Sequence, residues 1–143
     1  MKKYVKPTMN GEMFVANEYV GACWKIGCNT SAANDYEDSI NNNPIGGHRS
    51  SQCGNDLKQS VHLNSNGVPI GMYELNTSFN GANLRCDLYT DQTYTTLMTN
   101  EQIAAIKPGD TLYWITVGEW NGTHTYHHVG NVGAVNTNNP NAS

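Results

Sequence analysis

Charge is what this sequence has least of. Only 14% of its 143 residues are charged, where an average soluble protein carries about 25%. Eight Lys and Arg against twelve Asp and Glu leave a net charge of −4, and Lys2, Lys3 and Lys6 sit together at the N-terminus. No basic patch remains to neutralise phosphates, so no nucleic-acid partner is expected. No apolar run approaches the roughly 20 residues of a membrane-spanning helix, so no membrane span is expected. Met1-Lys2-Lys3 could open a secretory signal, but Pro7, Asn10, Glu12, Asn17 and Glu18 break up the apolar core such a signal needs. Cys-x-x-Cys, the spacing of a zinc ribbon, is also missing. No metal and no cofactor are therefore expected.

What the sequence does hold is Asn, Thr and Gly in abundance, and four Asn-Gly dipeptides. The most informative stretch is Lys107 to Val135. Pro108-Gly109-Asp110 makes a turn, and Thr111 to Gly118 is rich in β-branched and aromatic residues. Asn121-Gly122 follows, the strongest short-range hairpin signal, because both residues accept positive φ. With a two-residue loop, Glu119 faces His124, Val117 faces Tyr126 and Ile115 faces His128. Leu84, Cys86 and Leu88 alternate with polar neighbours as a half-buried strand. Thr99-Asn100-Glu101-Gln102 has the form of a capping box, opening one short helix that Pro108 ends. The expectation is an all-β domain over 21–143, a sandwich, jelly-roll-like sheet or barrel with that helix. Residues 1–20 read as an N-terminal arm, whose Tyr4, Val5, Met13, Phe14 and Val15 could add to a sheet edge. Asn29 to Asn55 reads as mostly loop, too long to be idle in a small domain.

Four cysteines, Cys23, Cys28, Cys53 and Cys86, are candidates for disulfides, with three possible connectivities. Reduced, buried thiols in the cytoplasm are the alternative. His124, His127 and His128 cluster in sequence near Glu119. Positions four apart on a strand are about 13 Å apart and adjacent ones face oppositely. His124 and His128 thus cannot share one ion unless the strand bends, and a metal site would need His48 or His62 brought in by a loop.

IKPGDTLYW followed by HHVGNVGAVN resembles the late part of NlpC/P60 and CHAP amidase domains. That resemblance implies a cysteine hydrolase with His128 as base and Cys53 or Cys86 as nucleophile. MKKYVKP…GEMFVANEYVGACWKIGCN and the closing NPNAS are similar to a group of small proteins of Gram-positive gut anaerobes, which implies shared ends around a variable middle and no particular activity. The leading expectation is a self-associating subunit of an extracellular or spore-surface fibre, exported non-classically, with itself as partner and no catalytic residue. A carbohydrate- or protein-binding module using Trp114, Trp120 or Tyr126 is the alternative, and the hydrolase the second.

Overall fold

The computed structural model describes residues 22–76, 82–119 and 121–135. The arm residues lie outside them, as does Trp120. In chain order the elements are β1 (Ala22–Cys28), α1 (Thr30–Ser39), β2 (Gln59–Leu63), β3 (Pro69–Asn76), β4 (Ala82–Tyr89), α2 (Asn100–Ala104), β5 (Thr111–Glu119) and β6 (Thr123–Val135). Each strand pairs antiparallel with the next, and β6 returns to β1, so the sheet closes as a six-stranded barrel. The all-β expectation holds, and of the sandwich, jelly-roll-like sheet or barrel expected, the sheet forms the closed barrel. Closure removes both sheet edges, which an open sheet would leave as unpaired backbone. No helix among the described residues is long and apolar enough to cross a membrane.

The β5–β6 hairpin forms at Asn121-Gly122 with φ of 55° and 100°, but its loop takes three residues. Glu119 pairs with Thr123, Ile115 with His127 and Trp114 with His128. The expected register was one residue out. A one-residue slip exchanges the faces of a whole strand, and here it puts His128 on the face of Leu112, Trp114 and Thr116. That face is the barrel interior. Trp114 is 1% exposed and stacks on His128 with ring centres 5.1 Å apart.

Facing pairs carry the interior around the barrel: Val61 with Met72, Met72 with Cys86, Leu88 with Trp114, and Gly130 with both Leu112 and Cys28. Gly130 closes the seam. A Cβ there would lie 2.2 Å from the Gly27 carbonyl oxygen, so only glycine lets β1 approach β6. The register of β1 also shifts between Trp24 and Ile26. Such a bulge changes which side chains point inward, and it aims Ile26 and Cys28 into the core.

Two helices pack on the barrel. The capping box of α2 is complete: Thr99 Oγ1 accepts from Gln102 N–H at 3.1 Å, and Gln102 Oε1 accepts from Thr99 N–H at 2.8 Å. The stretch expected to be loop begins instead with α1, ten residues capped by Asn29, whose side chain accepts from Ala32 N–H. Only Ala33 and Glu37 of α1 are buried, so the helix has no apolar stripe to announce it. The irregular run that follows crosses the barrel mouth. Asn42 Nδ2 donates to Thr125 O, Tyr126 Oη donates to Ile45 O, and Gln59 Nε2 donates to Ile26 O and Cys53 O.

Candidate metal centre

The disulfides expected from the even cysteine count are absent: none of the four cysteines is joined to another. Two of them instead share a spot with two histidines. Cys28 ends β1, His48 and Cys53 come from the mouth-crossing loop, and His128 comes from β6. One ligand atom from each lies within 4.8 Å of all the others. His48 Nδ1 is 3.4 Å from Cys53 Sγ and 3.8 Å from Cys28 Sγ. Around a tetrahedral zinc, with bonds of about 2.3 Å to sulfur and 2.0–2.1 Å to nitrogen, such corners lie roughly 3.3–3.8 Å apart.

Local structure brings the four together. Cys28 N–H donates to Cys53 O at 2.8 Å, and Asn29 N–H donates to Val129 O at 2.7 Å. His48 is clamped by Asn34, which accepts from its backbone N–H at 2.9 Å and donates to its carbonyl at 3.0 Å. Gly54 follows Cys53 where a Cβ would lie 2.7 Å from Ser50 Cα, so the loop can fold tightly enough to present the thiol.

Each imidazole is oriented from behind. His48 Nε2 donates to Glu37 Oε2 at 2.9 Å. That fixes the proton on Nε2 and turns the Nδ1 lone pair toward the two sulfurs. His128 Nε2 pairs with Thr116 Oγ1 at 2.8 Å. Its Nδ1 is buried with no hydrogen-bond partner. An orphaned buried nitrogen is costly, and it is the atom a metal would satisfy. Carboxylate and hydroxyl groups behind ligating histidines are what metal sites use to set tautomer and ring angle.

Glu37 is the anchor of this arrangement. Its carboxylate, 2% exposed, accepts from His48 Nε2, from His127 N–H at 2.7 Å, from His127 Nδ1 at 3.0 Å and from Asn42 Nδ2 at 2.6 Å. Burial alone would raise its pKa, but the four hydrogen bonds outweigh burial and hold it below the usual range. The two thiols move in opposite directions. A hydrogen bond from Cys28, with help from His128 and His48, pulls Cys53 well down, and the same bond together with burial pushes Cys28 up. Burial disfavours charge on both histidines. At His48 the bonds to Cys53 and Glu37 prevail and raise its pKa, while at His128 burial wins and lowers it. These directions favour a negative sulfur at Cys53 and a neutral imidazole at His128, two of the forms a metal needs, while Cys28 and His48 are shifted toward protonated forms that a metal would have to displace.

The sequence-derived candidates divide. His128 and Cys53 meet here, as the hydrolase resemblance implied. Cys86 does not: its thiol faces Leu84 O at 3.8 Å and burial pushes it up to about 12. Cys23 is fully buried and outside the cluster. His124 Nε2 bonds to Asn121 O, and His127 serves Glu37. Trp114 is core, and Tyr126 pins the loop through its hydroxyl. Glu37 and Thr116 were missed as members of the site, His48 was named only as a loop histidine that a site would have to recruit, and Cys28 was considered only for disulfides. The available signal was that His48 and Cys53 lie five apart in a loop too long to be idle.

Beside the cluster a cavity of about 490 Å³ opens at the barrel mouth, with Cys53, His48, His128, Gln59, Glu74 and Thr116 among its walls. Fold and site together define a class: a small closed antiparallel barrel carrying a cysteine–histidine cluster. Comparison with family models, with curated proteins and with solved structures gives no match.

Proposed function

We propose that the protein is a zinc-binding β-barrel, with Cys28, His48, Cys53 and His128 as ligands. The observation that carries this reading is the convergence of Cys28, His48, Cys53 and His128, one ligand atom from each within 4.8 Å of the others, on a buried His128 ring whose Nδ1 meets no partner in hydrogen-bond geometry. Two thiolates and two imidazoles in a tetrahedral cage suit zinc better than the planar geometry copper(II) prefers. With four protein ligands the ion is structural in kind, and it ties the mouth-crossing loop to β1 and β6. The expectation of no metal rested on the missing Cys-x-x-Cys spacing and on the distance between His124 and His128, and neither argument bears on a site drawn from β1, the loop and β6.

Zinc binding to the native state stabilises it by about 4 kcal/mol at a thousandfold excess over Kd. For a chain of this size that is a shift in thermal midpoint on the order of 10 °C. Chelation should lower the midpoint by that much, and added zinc should restore it. An unchanged midpoint would contradict the reading.

A second reading has its own observation. Cys53 Sγ, His48 and Glu37 lie in line, at 3.4 and 2.9 Å, beside the cavity. This is the order of nucleophile, base and orienting carboxylate in a thiol hydrolase, with His48 in the place that the resemblance gave to His128. It leaves Cys28 and the His128 Nδ1 without a role, which is why zinc is preferred. Amide hydrolysis by metal-free protein, lost in Cys53→Ser, would favour it. Self-association into a fibre through Tyr4, Val5, Met13, Phe14 and Val15 is a separate proposal about residues outside those described.

A further inference from the structure

Cys53 differs from the other three cysteines in one respect. Cys23, Cys28 and Cys86 are buried, whereas Cys53 is partly exposed and lines the mouth cavity. A small oxidant therefore reaches Cys53 first. Cys28 stands directly behind it. Its backbone N–H donates to the Cys53 carbonyl at 2.8 Å, so the two backbones are in direct contact. Both sulfurs also point into one cluster, within 4.8 Å.

We infer that Cys53 and Cys28 are a redox couple, which a hydroperoxide entering the cavity oxidises to a disulfide with release of the metal. This rests on the zinc reading for what is released, though not for the disulfide itself. The Cys53 sulfur attacks one peroxide oxygen, the O–O bond breaks, and the remaining fragment leaves as an alcohol or water with one proton. Cys53 is then a sulfenic acid. The Cys28 sulfur attacks the Cys53 sulfur, the S–S bond forms, the S–O bond breaks, and the hydroxyl leaves as water with a second proton. Two electrons pass from the two sulfurs to the peroxide. The disulfide offers no thiolate, so two imidazoles remain where a closed zinc site needs four ligands.

The test uses full-length protein first shown to carry one zinc per chain. Hydrogen peroxide is titrated in, released zinc is read with a chromophoric chelator, and the cysteines are mapped by non-reducing peptide mass spectrometry. The expected result is one zinc released for each Cys28–Cys53 link, with Cys23 and Cys86 unmodified, reversed by dithiothreitol and fresh zinc. Zinc that stays bound while the link forms would overturn the inference. So would Cys53 advancing to sulfinic acid with no link to Cys28. Protein that holds no zinc before peroxide is added would overturn the zinc reading itself, a failure distinct from both.

Discussion

At the scale of single residues, Glu37 decides more than its position suggests. It never touches the cluster's centre, yet its carboxylate sets the tautomer of His48 and holds the β6 backbone through His127 N–H. Replacing such a partner behind a metal ligand costs about 10–100-fold in affinity. Glu37→Gln should weaken zinc binding by that factor, measured by competition with a chelator of known affinity. Cys86→Ser should leave it unchanged, because that sulfur lies outside the cluster. None of this was legible from spacing. Glu37 is 90 residues from His127 in sequence, and a Glu in a polar helix looks like any solvated residue until the barrel buries it.

At the scale of elements, turns and caps were readable because their chemistry is local. Asn121-Gly122 and Thr99 to Gln102 do what their residues dictate. Register was not, because a two- and a three-residue loop fit the same dipeptide, and tertiary burial of Trp114 chooses between them. Helix α1 was not either, since its buried face amounts to Ala33 and Glu37. The seam gives the element-scale prediction. Gly130→Ala puts a methyl into the Gly27 carbonyl, and the backbone has to move. The expected loss is about 3 kcal/mol or more of unfolding free energy. Gly67→Ala, at φ +79° with nothing within 4 Å, should cost only about 1–2 kcal/mol for its left-handed backbone. Urea denaturation of the two variants measures both, and equal losses would show that closure at Gly130 is not tight.

At the scale of the whole molecule, barrel and arm are separable claims. The described barrel has its own closed sheet, two capped helices and a continuous core. Deleting residues 1–20 should therefore leave a folded protein with the same zinc affinity, by circular dichroism and chelator competition. If the arm adds to a neighbour's sheet, the same deletion abolishes assembly, and Phe14→Asp weakens it more than Lys3→Ala. Electron microscopy of the native protein reads that outcome; particles unchanged by the deletion would place the contact elsewhere.

The centre itself joins β1, the loop and β6, so it too belongs to the whole molecule. Native mass spectrometry of the zinc-reconstituted, dialysed chain counts the ion directly. One zinc per wild-type chain, lost from both Cys53→Ser and His128→Ala, is the result this account predicts. A wild-type chain that holds no zinc, or variants that keep it, would contradict it.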